Sequence, residues 1–266
     1  MAHQTLTLIE PQPSGVVTGQ LMNGHPSMDY PQRLEILIKS FEHREVATHP
    51  YFEWLQSKPL DLNSLWLLFH NLRQVHSNMA QWLSTMLCRI DDEIISCVLV
   101  RQLYDELGHG KPERINRVLF DRLYYALKPW RRLQPVPASQ FDTVAIKSPG
   151  TNLKQQLEGY YTDQEPFLAL GALLAGKIYA YQLALAIQAQ IERTQAISAY
   201  DLAWLRQYIA VETDHTGDAT QLTRRLEQLS APRDLVNLKM QAVWDAYDSF
   251  LDEMLALSCK VFQAAV

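Results

Sequence analysis

Apolar positions recur at helical spacing along most of the chain after residue 30. After Asp61 they fall at 65, 68, 69, 72, 75, 79, 82, 83 and 86, the period of an amphipathic helix. Caps, prolines and glycines predict helices over residues 31–48, 49–56, 61–86, 91–108, 112–127, 150–162, 164–192, 198–229 and 232–263. With no strand pattern, the sequence predicts an all-α domain of about eight helices over residues 30–266. Residues 1–29, rich in turn formers, are predicted to be an extended or mobile arm.

Several polar side chains fall on the apolar stripes of these helices. Glu106 continues the stripe of Ile95, Val98, Leu99, Gln102 and Leu103, so its carboxylate is predicted to point inward. Tyr208, Glu212 and His215 share one side of a later helix at i, i+4 and i+7. Lys177 is the one charged residue between Phe167 and Ile191. Neighbouring helices of a bundle can bring such groups together in one site.

Composition and charge indicate the number of domains, the possible partners and the location of the protein. The 266 residues are 47% hydrophobic and 20% charged, which is enough for one large domain with a sizeable core. A net charge of -5 without a basic stripe predicts no nucleic-acid partner. The apolar segment 167–191 could cross a bilayer by length, but Lys177 and three glutamines make a buried helix and no membrane span the better interpretation. Three cysteines without paired spacing, and no signal-peptide pattern, predict a cytoplasmic protein.

The stretch NLRQVHSNMAQWLSTMLCRIDDEIISCVLVRQLYDELGHGKPERINRVLF resembles the heme-oxygenase-like superfamily that includes the TenA and PqqC proteins. Within it, the stretch is most similar to the CADD-like, diiron-oxidase branch. The resemblance covers roughly residues 31–262. It implies a heme-oxygenase-like helical bundle, a homodimer, and a metal site built from a Glu in an ELGxG helix end, a His, a second Glu and a His-x3-Asp-x2-His triplet.

The chain matches this ligand pattern only in part. By resemblance, Glu106 corresponds to the first carboxylate, His215 to the last histidine and Glu212 to the Asp of the triplet. At the other ligand positions, Asn116 falls where many members have His, Lys177 at or next to the second Glu, and Tyr208 where the first His of the triplet belongs. Two carboxylates and one imidazole cannot hold two irons in the usual way. Glu106, Glu212 and His215 could hold one Fe(II) or another divalent metal, and a metal-free hydrogen-bonded cluster is the alternative.

Three classes of function remain open at the level of the sequence. The first is a CADD-like non-heme iron oxidoreductase that acts on a small apolar or amphiphilic substrate with at most one metal. The second is a metal-independent cyclase, lyase or hydrolase that uses Lys177, Tyr208 and Glu106 for acid and base chemistry. The third is a non-catalytic ligand-binding protein. Asp91, Asp92 and Glu93 suit a terpene-cyclase-like diphosphate motif, but ordinary first-turn helix residues are the favoured interpretation.

Two further expectations concern the pocket and the oligomer. Aromatic and histidine side chains are predicted to line the pocket wall with Asn116: Trp66, Phe69, His70, His76 and Trp82. A satisfied core position is the alternative for the two histidines. A homodimer is expected from the resemblance. On the last helix, Trp244, Tyr247 and Phe250 offer apolar surface that a second copy could cover.

Overall fold

The computed structural model describes residues 39, 45–57, 62–127, 144–193, 197–214, 216–229, 231 and 233–263. In these ranges, the side chains of residues 144–145, 211–214, 216–217, 220, 233 and 263 are not described. The predicted arm, 1–29, and most of the first predicted helix therefore lie outside the described residues.

The described ranges are helical and contain no strand, as the hydrophobic pattern predicts. A 3-10 turn at Val46–Thr48 leads into the α-helices. Their bounds are α1 Pro50–Gln56, α2 Leu62–His76, α3 Met79–Leu87, α4 Glu93–Glu106, α5 Asn116–Leu127, α6 Val144–Tyr161, α7 Pro166–Glu192, α8 Ala203–Asp214, α9 Thr216–Gln228 and α10 Arg233–Gln263. Short 3-10 turns at Gly108–Gly110 and Pro112–Arg114 connect α4 to α5.

Helix α7 is the centre of the bundle. It packs against α10 most extensively, and also against α6 and α8. By length and composition α7 could cross a membrane, but 67% of its most apolar 18-residue window is buried inside the fold. Apolar residues on nearly all its faces are typical of a helix surrounded by other helices.

Helices α2 and α6 cross closely around Asn71. Pro149 lies inside α6 and has no N–H to donate, which interrupts the hydrogen-bond ladder of the helix there. Asn71 of α2 repairs the interruption, because its Nδ2 donates to the Ile146 carbonyl at 3.0 Å and its Oδ1 accepts from the Gly150 N–H at 3.0 Å. A Cβ at Gly150 would lie 2.2 Å from the Asn71 carbonyl oxygen, so only glycine allows this approach.

Replacing Asn71 with Ala is expected to destabilise the fold strongly. The change leaves two buried backbone groups of α6 without partners, at a cost of about 3 kcal/mol. Chemical denaturation of parent and variant measures the loss. Asn152→Ala in the same helix is the matched control, because this exposed Asn152 bonds only to the carboxylate of Glu253 among the described contacts and its loss should be small. Equal losses in the two variants would contradict the role of Asn71.

Several helix boundaries differ from the sequence prediction. The helix predicted over 61–86 is interrupted, because Ser77 Oγ and Asn78 Nδ2 donate back to the Arg73 and Gln74 carbonyls and end α2. The helix predicted from Pro112 begins only at Asn116, after extended backbone at Ile115. Helix α6 starts at Val144 rather than 150, since Pro149 and Gly150 lie within it.

The last helix buries the aromatic residues that the sequence offered as dimer surface. Trp244, Tyr247 and Phe250 are 1%, 3% and 2% exposed, so that argument for a homodimer is wrong. They pack inward on α7, where the Tyr179 ring stacks on Tyr247 and contacts Trp244 edge to face. The error arises because α10 has neighbours on several sides, including α1, α6 and α7.

Candidate functional site

A cavity lies between α2, α3, α4, α7, α8 and α10. The space between its lining atoms is about 540 Å³ when the open mouth is included. Most of the wall is aliphatic or aromatic, and three side chains in it are acidic or basic: His76, Glu106 and Lys177. The rest of the lining is Leu72, Val75, Met79, Ala180, Leu183, Ala184, Ile187, Trp204, Tyr208 and Tyr247.

Lys177 and the room beside it come from one face of α7. Ala180 and Ala184 follow Lys177 at i+3 and i+7, so their methyl groups line the same side of the helix. Small side chains at these two positions leave space in front of the lysine. The helix thus presents one long cationic side chain to an otherwise apolar wall.

Glu106 reaches the cavity from the last residue of α4. The first residue of α5, Asn116, donates from Nδ2 to Glu106 Oε2 at 2.9 Å. The tight turn between the helices brings these two residues together. A Cβ at Gly108 would lie 2.4 Å from the Arg114 backbone carbon, so the turn has no room for a side chain there. Gly108, with φ 68°, therefore allows α4 and α5 to bring the carboxylate and the amide together.

His76, which the sequence offered only as a pocket-wall residue with no assigned chemistry, lines the cavity. Its ring stacks on Phe120 with centroids 4.5 Å apart and meets Trp204 edge to face at 5.1 Å. Burial, together with the positive charge of Lys177, lowers the pKa of His76 to about 4. The imidazole is therefore neutral at pH 7. Its place four residues after Leu72, on the inner stripe of α2, is the pattern that could have identified it.

Tyr208 adds a phenol to the same wall. Its ring stacks on Trp204 at 5.5 Å and lies edge to face with His76 at 6.3 Å. Trp204 thus contacts both rings and fixes their relative orientation. The sequence-predicted residues Glu106, Lys177 and Tyr208 come together in one cavity, and His76 joins them.

Two ion pairs fix the α4 side of the site to α9. Asp92 caps α4 by accepting from the Ile95 N–H, and its other oxygen accepts from Arg225 at 2.6 Å. The hydrogen bond from Arg225 lowers the pKa of the Asp92 carboxyl. Arg101 pairs with the buried Asp218. Asp92 is a helix cap and a partner of Arg225, which agrees with its interpretation as an ordinary first-turn residue.

Four of the predicted pocket residues do not line this cavity: Trp66, Phe69, His70 and Trp82. Trp66 and His70 stack on each other at 4.8 Å, and His70 Nδ1 lies 3.0 Å from Tyr124 Oη. Trp82 packs edge to face on Tyr161. These side chains belong to the core. Asn116 acts on the site through Glu106, and the side chain of Glu212 and all of His215 lie outside the described residues.

The comparison with known proteins identifies the fold of the chain. No family model and no curated protein matches the chain. Among solved structures, a CADD-like protein of unknown function from Nostoc punctiforme PCC 73102 is similar, with a TM-score of 0.57 and 14% identity over 85% of this chain and 94% of that chain. The chain has a heme-oxygenase-like fold. This likeness, at such low identity, concerns the fold alone.

The described part of the cavity does not fit the two-iron site that the resemblance to the CADD-like branch implies. Among the described side chains, no three His, Cys, Asp or Glu residues lie close enough to hold a metal ion. One oxygen of Glu106 already accepts from Asn116, and the charge of Lys177 repels a second cation in the same space. The single-metal set of Glu106, Glu212 and His215 stays a prediction.

We expect the purified protein to retain well under two equivalents of iron. Elemental analysis of protein prepared without chelator measures this directly, and two tightly held, spectroscopically coupled irons per chain would contradict it. A second variant, Lys177→Glu, supplies the carboxylate that the family resemblance places at or next to this position. Added Fe(II) should raise the melting temperature of this variant more than that of the parent, by mass action on the folded state.

Proposed function

We propose that the protein is a metal-independent enzyme that moves protons on a small, largely apolar or amphiphilic substrate held in this cavity. The observation that carries the proposal is the presence of Glu106 and Lys177 in one otherwise apolar cavity. Ionisable groups enclosed by apolar walls interact more strongly than they would in water. Cyclisation, elimination and hydrolysis are the reactions that suit such a site.

The residues divide the acid and base work between them. Asn116 holds the Glu106 carboxylate in place, and this carboxylate is the group that would accept a proton from the substrate. The Lys177 ammonium and the Tyr208 phenol face the same space and can donate to a developing negative charge. His76 is neutral at working pH and can serve as a second base. A positioned acid or base typically contributes about 10²–10⁴ in rate.

The wall defines the substrate class. Aliphatic side chains from α2, α3 and α7, together with Trp204, contact whatever fills the cavity, so most of the substrate is apolar. Its polar group belongs beside Glu106 and Lys177, which both line the cavity. A cavity with this lining also suits simple ligand binding, so the test must separate binding from turnover.

A metabolite extract of the organism that encodes the protein is the substrate source for the test. The parent protein is expected to consume one or more compounds, detected by mass spectrometry, and Glu106→Gln is expected to lose this activity. Ala184→Leu fills the cavity without changing a charge and should lose it as well. Ala189→Leu, on the exposed side of α7, is the matched control and should keep it.

Two outcomes would contradict the proposal. Consumption that Glu106→Gln and Ala184→Leu leave unchanged would place the chemistry elsewhere. A compound that co-purifies with the parent, is released unchanged, and is absent from Ala184→Leu would assign the cavity to ligand binding instead.

A further inference from the structure

The cavity wall carries opposite formal charges in a small apolar space. Glu106 contributes one negative charge and Lys177 one positive charge, and His76 is neutral at pH 7 because its pKa is about 4. The charges of the described lining side chains therefore cancel. A neutral ligand keeps this balance, whereas a charged ligand would place an uncompensated charge among apolar side chains, which is costly.

Trp204 adds a hydrogen-bond donor that no described group of the protein accepts from. The residue lines the cavity and is only 3% exposed. Its Nε1 is buried and has no hydrogen-bond partner among the described residues. Stacking on Tyr208 and an edge-to-face contact with His76 hold the indole in place. Because a buried donor without an acceptor is unfavourable, this N–H in a cavity wall indicates a ligand oxygen.

A carbonyl group has both properties that these observations require. It is neutral, and its oxygen accepts a hydrogen bond without bringing a donor of its own. A carboxylate accepts as well, but its charge would be repelled by that of Glu106 in the same space. Among neutral acceptors, aldehydes and ketones are the ones that react covalently with a lysine amine, and Lys177 lines the same cavity.

We propose that Lys177 forms an imine with a neutral, largely apolar aldehyde or ketone whose oxygen accepts a hydrogen bond from Trp204 Nε1. This inference rests on the proton-transfer function proposed above and adds a substrate class and a covalent step to it. The lysine has room for such a step, since the small side chains of Ala180 and Ala184 follow it on the same face of α7. The apolar wall also limits the access of water, which hydrolyses imines.

The covalent step balances with the groups present in the cavity. The Lys177 ammonium gives one proton to Glu106, and the Nζ electron pair forms the C–N bond while the C=O π pair moves to the oxygen. Glu106 passes this proton, and then a second one from nitrogen, to the oxygen. The C–O bond breaks, one water leaves, and the third ammonium proton stays on the C=N nitrogen. The cationic imine withdraws electrons from the neighbouring carbon, so a C–H or C–C bond there breaks more easily.

Reductive trapping of a probe aldehyde on the full chain tests the proposal. Benzaldehyde with sodium cyanoborohydride converts a lysine imine to a stable benzylamine, which peptide mass spectrometry locates. Benzaldehyde should label Lys177 at least about tenfold faster than the exposed Lys111 of the same chain, because the cavity holds the probe beside the amine. The charged analogue 4-carboxybenzaldehyde should label Lys111 and leave Lys177 largely unlabelled.

Three variants connect the labelling to the cavity. Ala184→Leu fills the space in front of the lysine and should remove the labelling of Lys177 while that of Lys111 stays. Trp204→Phe keeps a ring and removes the N–H, so Lys177 should be labelled about tenfold more slowly, the effect of one hydrogen bond. Ala189→Leu, on the exposed side of α7, is the matched control and should be labelled as the parent is.

Three results would overturn the imine. They are labelling of Lys177 no faster than that of Lys111 in the parent, equal labelling of Lys177 by 4-carboxybenzaldehyde, which would assign the cavity to anions, and an unchanged rate in Trp204→Phe. Failure of the imine is distinct from failure of the proposed function. Consumption of a compound that depends on Glu106, without a trapped adduct on Lys177, retains proton transfer and removes the imine. A trapped imine in a protein that consumes no compound retains a carbonyl-binding lysine and removes turnover.

Discussion

Replacing Lys177 with Met is expected to raise the pKa of His76 and to reduce turnover at least about 100-fold. The positive charge of Lys177 is one of the two causes that depress the pKa of His76, so its removal makes the imidazolium easier to form. Because burial is the larger cause, the pKa should rise from about 4 but stay below its ordinary value of 6.5. Turnover falls because the cavity loses its cationic proton donor.

Histidine NMR measures the first effect, with the His76 resonance assigned by its loss in His76→Gln. Lys111→Met is the control, since this exposed lysine lies outside the cavity and removes the same unit of charge. A Lys177→Met variant whose His76 titrates as in the parent, and which retains full turnover, would show that Lys177 does not act at this site.

The stability of the protein is expected to fall as the pH is lowered from about 6.5 to 4, by up to about 3 kcal/mol from His76 alone. The sign follows from the lowered pKa. In this window the unfolded chain binds a proton at His76 and the folded chain does not, so acid favours unfolding. Above pH 6.5 both states are neutral at this residue and its contribution is fully present.

Replacing His76 with Phe tests this contribution. Phenylalanine keeps the stacking on Phe120 and removes the titration, so denaturant unfolding of His76→Phe should show a flatter pH dependence than the parent between pH 4 and 6.5. Ala189→Leu is the control, because it changes an exposed residue of α7 that does not titrate. Parallel pH profiles for parent and His76→Phe would contradict the assigned pKa.

The spacing of apolar residues was sufficient to predict the positions of the long helices. It could not predict where a side chain replaces a backbone hydrogen bond. Helices α4, α7 and α10 lie close to their predicted bounds. Asp92 and Glu165 cap the first turns of α4 and α7, and all three helices have a continuous apolar pattern. From the sequence, the helix was predicted to start at residue 150, directly after Pro149. Pro149 and Gly150 are tolerated inside α6 only because Asn71, far away along the chain, supplies the missing partners. Such a tertiary contact has no local pattern.

The candidate site was predictable to the extent that its residues lie on inner helix stripes. Glu106 and Tyr208 continue such stripes, and both line the cavity with Lys177. Trp66, His70 and Trp82 are equally apolar in context, yet they pack into the core, because periodicity tells which face is buried and not whether it faces a cavity. The pairing of Glu106 with Asn116 depends on the turn at Gly108, which only the folded chain reveals.

Turnover under anaerobic conditions with an excess of chelator distinguishes a metal-independent enzyme from an iron oxidoreductase. A metal-independent parent consumes its compound at the same rate without dioxygen and without free metal, and Glu106→Gln fails under both conditions. Loss of turnover in the chelated, anaerobic parent, with recovery on adding Fe(II) and dioxygen, would contradict it. That result would support the single-metal oxidoreductase built on Glu106, Glu212 and His215.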